Sequence, residues 1–307
     1  MNNLIYKFKS KIFSYSLEAK KYKRPTYDEL IRYRSFTRTN NHKLFLSFGS
    51  GRSGQNWFSK LFNSHKNWVG SAERFADYEA FYRFITYYKI PLSKVSFFNL
   101  LKLSYKRDMA LFQNSFISSP YWSVGVNEVT NELKPDCIFF NIRNPIKTIE
   151  SLHMRGWYYY NDENSAINSP GIDITGNLYR SFSRIIPNDE YLDEWKRLSR
   201  IGKITWFWCT INKLIYSDFK NINNIKKYNI RLEDVNQNYE FYEKISEIFD
   251  LRTKMKKNKF LNIINKAPNK ATSKKYIYKN WSQKEKNEFE TIIDNFFPQY
   301  DEIKTDI

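Results

Sequence analysis

The stretch from Lys43 to Arg74, KLFLSFGSGRSGQNWFSKLFNSHKNWVGSAER, constrains this chain more than any other. Its opening run, Leu44–Phe48, is short, apolar and rich in aromatic residues, the pattern of a buried strand. Gly49, Gly51 and Gly54 follow closely, with Arg52 and Ser53 between them, and glycine frees the backbone for conformations other residues avoid. Trp57, Phe58, Leu61 and Phe62 then recur at helical spacing. Strand, glycine loop and helix start together present free N–H groups and the positive end of a helix dipole, which suits a phosphate or sulfate. The loop has no Gly-Lys-Ser/Thr, so the lysine and the magnesium-binding hydroxyl of a Walker P-loop are missing. An ordinary tight turn between strand and helix is the competing explanation.

The rest of the chain supplies more units of the same kind. DYEAFYRFITYYK is helical up to a break at Pro91, and a second helical pattern runs from Leu92 to Phe112. Tyr121–Val126 alternates like a short strand ahead of Asn127-Glu128, and Cys137–Ile142 is an apolar strand leading into Arg143-Asn144-Pro145. Proline suits the first turn of a helix, so one is expected over 145–154. Residues 190–219 carry a strong helical pattern, Tyr228–Leu232 a third strand, and Tyr239–Phe249 a helix. A lysine-rich stretch occupies 252–281, after which Ser282 and Glu285 form a capping box for a helix through Phe296. Strands alternating with helices predict a central parallel sheet flanked by helices. The expected organisation is a basic helical extension over 1–42, one α/β domain over 43–300 with a lid or insertion at 157–189, and a tail over 301–307.

The formal charge of +18 calls for a polyanionic ligand, a nucleic acid or an anionic membrane surface. Leu4, Ile5, Phe8, Ile12 and Phe13 alternate with Lys7, Lys9 and Lys11, so the N-terminus fits either a helix packed on the domain or a basic amphipathic helix on a membrane. No apolar run is long enough to cross a bilayer, and no signal-peptide core precedes a small-residue cleavage site. Cys137 and Cys209 lie in apolar runs without a CxxC or Cys/His cluster, which argues against structural zinc and a secreted disulfide framework. These features predict a cytoplasmic protein, with peripheral membrane contact as an option.

A second anion-binding signal lies in IFFNIRNPIKTIESLHMR, residues 138–155. The strand delivers Arg143 at its C-terminal edge, where open α/β sheets bind ligands. Ser151 stands eight residues on, about two turns into the next helix, given 3.6 residues per turn. A guanidinium and a hydroxyl so placed can grip one phosphate from two directions. A structural ion pair at a strand end is the plainer role for Arg143.

SGRSGxxW followed by IRNPxxxxxS resembles the PAPS-dependent sulfotransferase family, whose fold is P-loop-like. IRLEDV at 230–235 and KKYIYKNWS at 274–282 resemble weaker family segments downstream. The resemblance implies that 3′-phosphoadenosine 5′-phosphosulfate (PAPS) is the sulfate donor, that PAP is the product and that no metal is required. It places Arg52 at the 5′-phosphate and sulfonate, the backbone from Ser53 through Gly54 to Trp57 around the phosphate, and Arg143 with Ser151 on the 3′-phosphate. Gln55 and Asn56 stand where the family commonly carries hydroxyl side chains, and their amides can donate to the same oxygens.

Transfer to a hydroxyl needs a general base, usually histidine or a carboxylate. His42 precedes the first strand, His65 sits at the far end of the first helix, and His153 lies on the Ser151 helix, where it could approach a nucleotide, with packing or solvent exposure as its plainer role. The resemblance points to Glu73, in VGSAER, as the base, with Glu128 as second choice; a solvated Glu-Arg pair is the plainer role for Glu73 and Arg74. Arg74 is a candidate for an acidic acceptor, and Trp157 with Tyr158–Tyr160 for a sugar-stacking wall. The expected acceptor is a carbohydrate or glycan, with an acidic glycan or lipid-linked saccharide as partner, and less readily a protein tyrosine or small molecule. A P-loop-type nucleotide kinase is the rival enzyme, but it requires a loop lysine and a metal-holding aspartate. A basic nucleic-acid-binding protein is the non-enzyme rival; no specific nucleic acid is expected, because no reader motif accompanies the charge.

Overall fold

The computed structural model describes residues 25–159, 182–235, 238–251, 255–265 and 276–307. Among them, Leu44–Phe48 (β1), Trp68–Ala72 (β2), Asn114–Ser118 (β3), Cys137–Ile142 (β4) and Lys226–Arg231 (β5) form one sheet in the order β2-β3-β1-β4-β5. Every pairing is parallel, with Leu46 at the centre opposite Ile117 on one side and Ile138 on the other. Parallel sheets are covered on both faces. Accordingly β1, β2, β3 and β4 are buried along their whole length.

The helices are Tyr27–Arg32 (α1), Gln55–Asn63 (α2), Ala76–Tyr87 (α3), Val95–Phe112 (α4), Val126–Leu133 (α5), Pro145–Met154 (α6), Leu192–Arg197 (α7), Arg200–Asn221 (α8), Leu232–Val235 (α9), Tyr239–Ile248 (α10), Lys257–Asn265 (α11) and Gln283–Phe296 (α12). Alternate strand residues serve two cores, as the period of two requires. Phe45, Phe116 and Phe139 pack against Phe58 and Phe62 of α2 and Tyr242 of α10. Leu46, Ile117, Ile138 and Phe140 face the larger core, built with Leu101 of α4, Val129 of α5, Ile149 of α6 and Trp208 of α8.

Two details fix this frame locally. Gly70 of β2 lies so close to α2 that an added Cβ would be 2.2 Å from Ser59 O. The Asn63 side chain accepts from Gly70 N at 2.7 Å and donates to Gly70 O, so the two ends of that contact are tied by hydrogen bonds. On the far edge of the sheet the tail covers β5, with Asn229 N donating to Asp306 Oδ1 at 2.6 Å and Arg231 N to Thr305 Oγ1 at 3.0 Å.

The α/β class, the strands Leu44–Phe48 and Cys137–Ile142, the helix from Pro145 and the Ser282–Glu285 capping box all occur as expected. Tyr121–Val126 differs: Tyr121–Val124 is a 3₁₀ turn, and α5 begins at Val126. Trp122 Nε1 donates to Ser47 O and Ser123 Oγ exchanges hydrogen bonds with Gly49, so the segment folds under the end of β1. The third position beside β1 is taken by Asn114–Ser118. The helical pattern of 190–219 is two helices, broken where Leu198 is extended and Ser199 caps α8 by accepting from Gly202 N. The expected amphipathic segment in residues 1–24, most of the 157–189 insertion and part of the lysine-rich stretch lie outside the described residues.

Candidate functional site

The strand order places one topological switch point in the sheet. From β1 the chain crosses to the β2 side, and from β4 it crosses to β5 on the other side, while β1 and β4 are direct neighbours. Ligands of open α/β sheets bind in the crevice at the carboxyl ends of such a strand pair. The loop Gly49–Gly54 leaves β1 there, and Arg143 leaves β4 there.

Positive φ at Gly51 (91°), Arg52 (61°) and Gly54 (97°) coils the loop. An added Cβ at Gly54 would also meet Leu232 Cδ1 at 2.7 Å, so glycine is required twice over. Gly54 caps α2 without a side-chain hydrogen bond to the first turn, which leaves those N–H groups to a ligand. Ser50 Oγ, Ser53 Oγ and Gln55 Nε2 are buried without a hydrogen-bond partner among the described residues, as are both amide atoms of Asn141 beneath them. Buried polar atoms are nearly always paired, so such a concentration marks a place for polar ligand atoms.

Arg52 and Arg143 join the two halves. Arg52 Nε donates to Ser151 Oγ at 2.8 Å, and Arg143 Nη1 donates to Arg52 O at 3.2 Å. Pro145 opens α6 and Asn144 caps it, accepting from Lys147 N at 3.1 Å. Glu233 of α9 accepts from Asn144 N at 3.0 Å and lies 4.0 Å from Arg143 Nε, which steadies the Arg143 turn. Burial, then the charges of Arg155 and Arg143, push the Arg52 guanidinium down to about 10, with Glu73 opposing. Burial also lowers Arg143, opposed by Glu233 and Glu150. Arg52 thus keeps its proton at neutral pH and concentrates positive charge at the crevice. Glu73, at the end of β2, is half-buried with φ 52° and donates its backbone N–H to Ser118 O at 2.9 Å.

With this geometry the chain aligns with the crystal structure of sulfotransferase STF9 from Mycobacterium avium at a TM-score of 0.53 and 11 % identity, over 91 % of this chain and 80 % of that one. The fold is a sulfotransferase fold. The sulfotransferase domain from the curacin biosynthetic pathway aligns at a TM-score of 0.42 and 11 % identity, over 74 % of this chain and 78 % of that one. No family model matches the sequence, and no curated protein matches it.

Within this sulfotransferase fold the sequence-predicted residues separate into two groups. Arg52, Ser53, Gly54, Gln55, Arg143 and Ser151 meet at the switch point, and Asn56 sits on the first turn of α2 beside them. Arg74 does not face an acceptor. Its side chain is fully buried and paired with Asp108 of α4. Glu128 is engaged elsewhere on α5, accepting from Tyr82 OH at 2.7 Å and from Lys94 at 2.8 Å. Trp57 packs edge-on against Phe58 and Phe260, and so belongs to the α2–α11 contact.

The aromatic wall is largely core. The Trp157 ring lies 4.5 Å from Phe207 and beneath the Arg184 guanidinium, and Tyr158 is buried with its hydroxyl donating to Ile185 O. Tyr159 is exposed, and Tyr160 lies outside the described residues. None of the histidines meets the loop: His42 bonds Thr39, His65 is buried beside Tyr242, and His153 stacks on Tyr276 at 4.8 Å. The sequence reading missed Arg155 and Glu233. Arg155, at the C-terminal cap of α6, follows Ser151 by about one helical turn, a spacing that could have revealed it, whereas the approach of Glu233 to Arg143 depends on β5 lying beside β4.

Proposed function

We propose that the protein transfers a sulfuryl group from PAPS to a hydroxyl acceptor, with Glu73 as general base. The observation that carries this reading is the link from the glycine loop through Arg52 to Ser151 and Arg143, surrounded by buried polar atoms that have no partner among the described residues. A generic loop needs none of these.

PAPS, when bound, supplies the sulfuryl group and a phosphate leaving group. Arg52 and the N–H groups opening α2 offset the negative charge that gathers on the 5′ side, where fixed donors act most strongly. Arg143 and Ser151 hold the 3′-phosphate, the guanidinium through a planar fork and the serine through its hydroxyl. Ser53 and Gln55 contribute donors that are already desolvated. Glu73 takes the proton of the acceptor hydroxyl, and its place beside Arg52 brings the base to the cation that faces the transferring group. With Arg52 and Arg143 assigned to the donor, Arg155 beside Arg52 and the formal charge of +18 favour an acceptor with its own negative charge, such as a uronate-containing glycan.

The reading is tested by calorimetry and by transfer. PAP should bind far more tightly than ATP, without magnesium. Glu73→Gln should bind PAP within threefold of wild type and lose at least about a hundredfold in transfer from PAPS to a panel of uronate oligosaccharides, the usual scale of general-base catalysis. Near-normal turnover by this variant would remove Glu73 from the mechanism. Equal affinity for PAP and ATP would remove PAPS.

A further inference from the structure

Glu73 adopts a left-handed backbone conformation, φ 52°, that residues with side chains rarely occupy. Such outliers persist only where the surroundings over-determine them. On its N-terminal side β2 is fixed by its ladder to β3, in which Ala72 pairs with Ser118, and Glu73 N donates to Ser118 O at 2.9 Å. On its C-terminal side the holding group is the side chain of the next residue, Arg74.

Arg74 and Asp108 are both wholly buried. The guanidinium donates from Nε to Ser71 Oγ, from Nη1 to Ser104 Oγ at 3.0 Å and from Nη2 to Ser115 Oγ at 3.0 Å, and Nη2 also pairs with Asp108. Asp108 in turn accepts from Ser115 Oγ at 3.1 Å and from Arg107 Nη1 at 3.3 Å. The planar fork is therefore referenced to β2 at Ser71, to β3 at Ser115, and to α4 at Ser104 and Asp108. Immediately beyond, Phe75 N donates to Glu79 Oε1 at 2.9 Å, fixing the entry to α3. Glu73 is left as the single residue between two fixed points.

A buried ion pair adds little stability over apolar side chains of the same volume, and its best-attested use is to specify one geometry. We propose that the Arg74–Asp108 pair is a positioning device that sets the backbone, and hence the carboxylate, of Glu73. This rests on Glu73 being the base, as proposed above. Arg74 itself touches no reacting group.

The test compares Arg74→Met/Asp108→Leu, which removes both buried charges together, with Arg74→Lys and Ser104→Ala, which disturb the fork more gently and guard against misfolding of the double variant. Each is measured for thermal stability, PAP binding by calorimetry, amide hydrogen exchange, and transfer from PAPS to the uronate oligosaccharide panel. Misplacing a catalytic group by about 1 Å costs on the order of a hundredfold. The expected result is PAP affinity within threefold of wild type, amides of residues 73–75 exchanging at least tenfold faster while those of β3 keep their protection, and kcat reduced roughly thirty- to a hundredfold in the double variant, scaled from the same misplacement cost. The gentler variants should show smaller losses in the same order.

Wild-type kcat and unchanged exchange at 73–75 in folded variants would overturn the proposal while leaving Glu73 in place, provided Glu73→Gln is inactive. PAP affinity and kcat falling together would overturn it in favour of general loosening. An active Glu73→Gln variant would overturn both readings.

Discussion

Replacing Arg143 with alanine separates the two halves of the proposed donor site. In the free protein its contacts are modest: Nη1 reaches Arg52 O at 3.2 Å, and the ion pair with Glu233 spans 4.0 Å with 27 % and 42 % of the two side chains exposed. A pair so exposed is worth about 0–1 kcal/mol, so the folded state should survive the change. The bonds expected to a 3′-phosphate are charge-assisted and directed by a planar fork, and losing them should cost about 2–3 kcal/mol. At 1.4 kcal/mol per tenfold, the dissociation constant of PAP should rise roughly 30- to 150-fold. Calorimetry reads this directly, and adenosine 5′-phosphosulfate, which lacks the 3′-phosphate, serves as the control. Its affinity should change less than threefold, because it never engages Arg143. Arg143→Lys keeps the charge without the fork and should fall between. An unchanged PAP affinity would refute the assignment of Arg143. Equal losses for the two nucleotides would show that the variant acts through the Arg52 loop instead.

Two further outcomes probe the frame. Gly70→Ala puts a methyl 2.2 Å from Ser59 O, a backbone atom that cannot swing aside, so thermal denaturation should show a loss of about 1–3 kcal/mol, and an unchanged midpoint would mean that α2 is free to move. His153 is pushed down to about 4 by burial first and by Arg200 second, with Glu285 opposing. The unfolded chain therefore takes up that proton first, and the stability His153 contributes, complete above about 6.5, is lost as the pH falls towards 4. Urea unfolding at pH 7 and pH 4.5 should show a shallower decline in His153→Gln than in wild type, and parallel declines would count against the assignment.

Much of the candidate site was legible because each part announces itself locally. Three glycines between an apolar strand and a helix, and an Arg-Asn-Pro at a strand end, each need only neighbouring residues to be understood. β3 was not legible for the opposite reason. Asn114, Ser115 and Ser118 are too polar to read as an interior strand until Ser115 is seen bonded to Asp108 and Ser118 to Ser47. Tyr121–Val126 carries a strand-like alternation, yet its tryptophan and serine are spent on the end of β1. Arg74 reads as a surface residue because its partner stands thirty-four positions away, on α4. In each case the deciding contact is long-range and polar, and hydrophobic periodicity does not report such contacts.

The close approach of Gly70 to Ser59, tied off by Asn63, has a consequence for how the site can adapt. The helix that opens at the glycine loop and the strand whose last residue leads into Glu73 are clamped together at mid-length, so they move as one piece. The spacing between the start of α2 and the end of β2 is thus a machined dimension, set when the protein folds. Under the proposed function, room for differently shaped acceptors would come from the opposite jaw, the α6 side that ends at Arg155. Substitutions in that jaw would leave the spacing from the glycine loop to the backbone of Glu73 as it is.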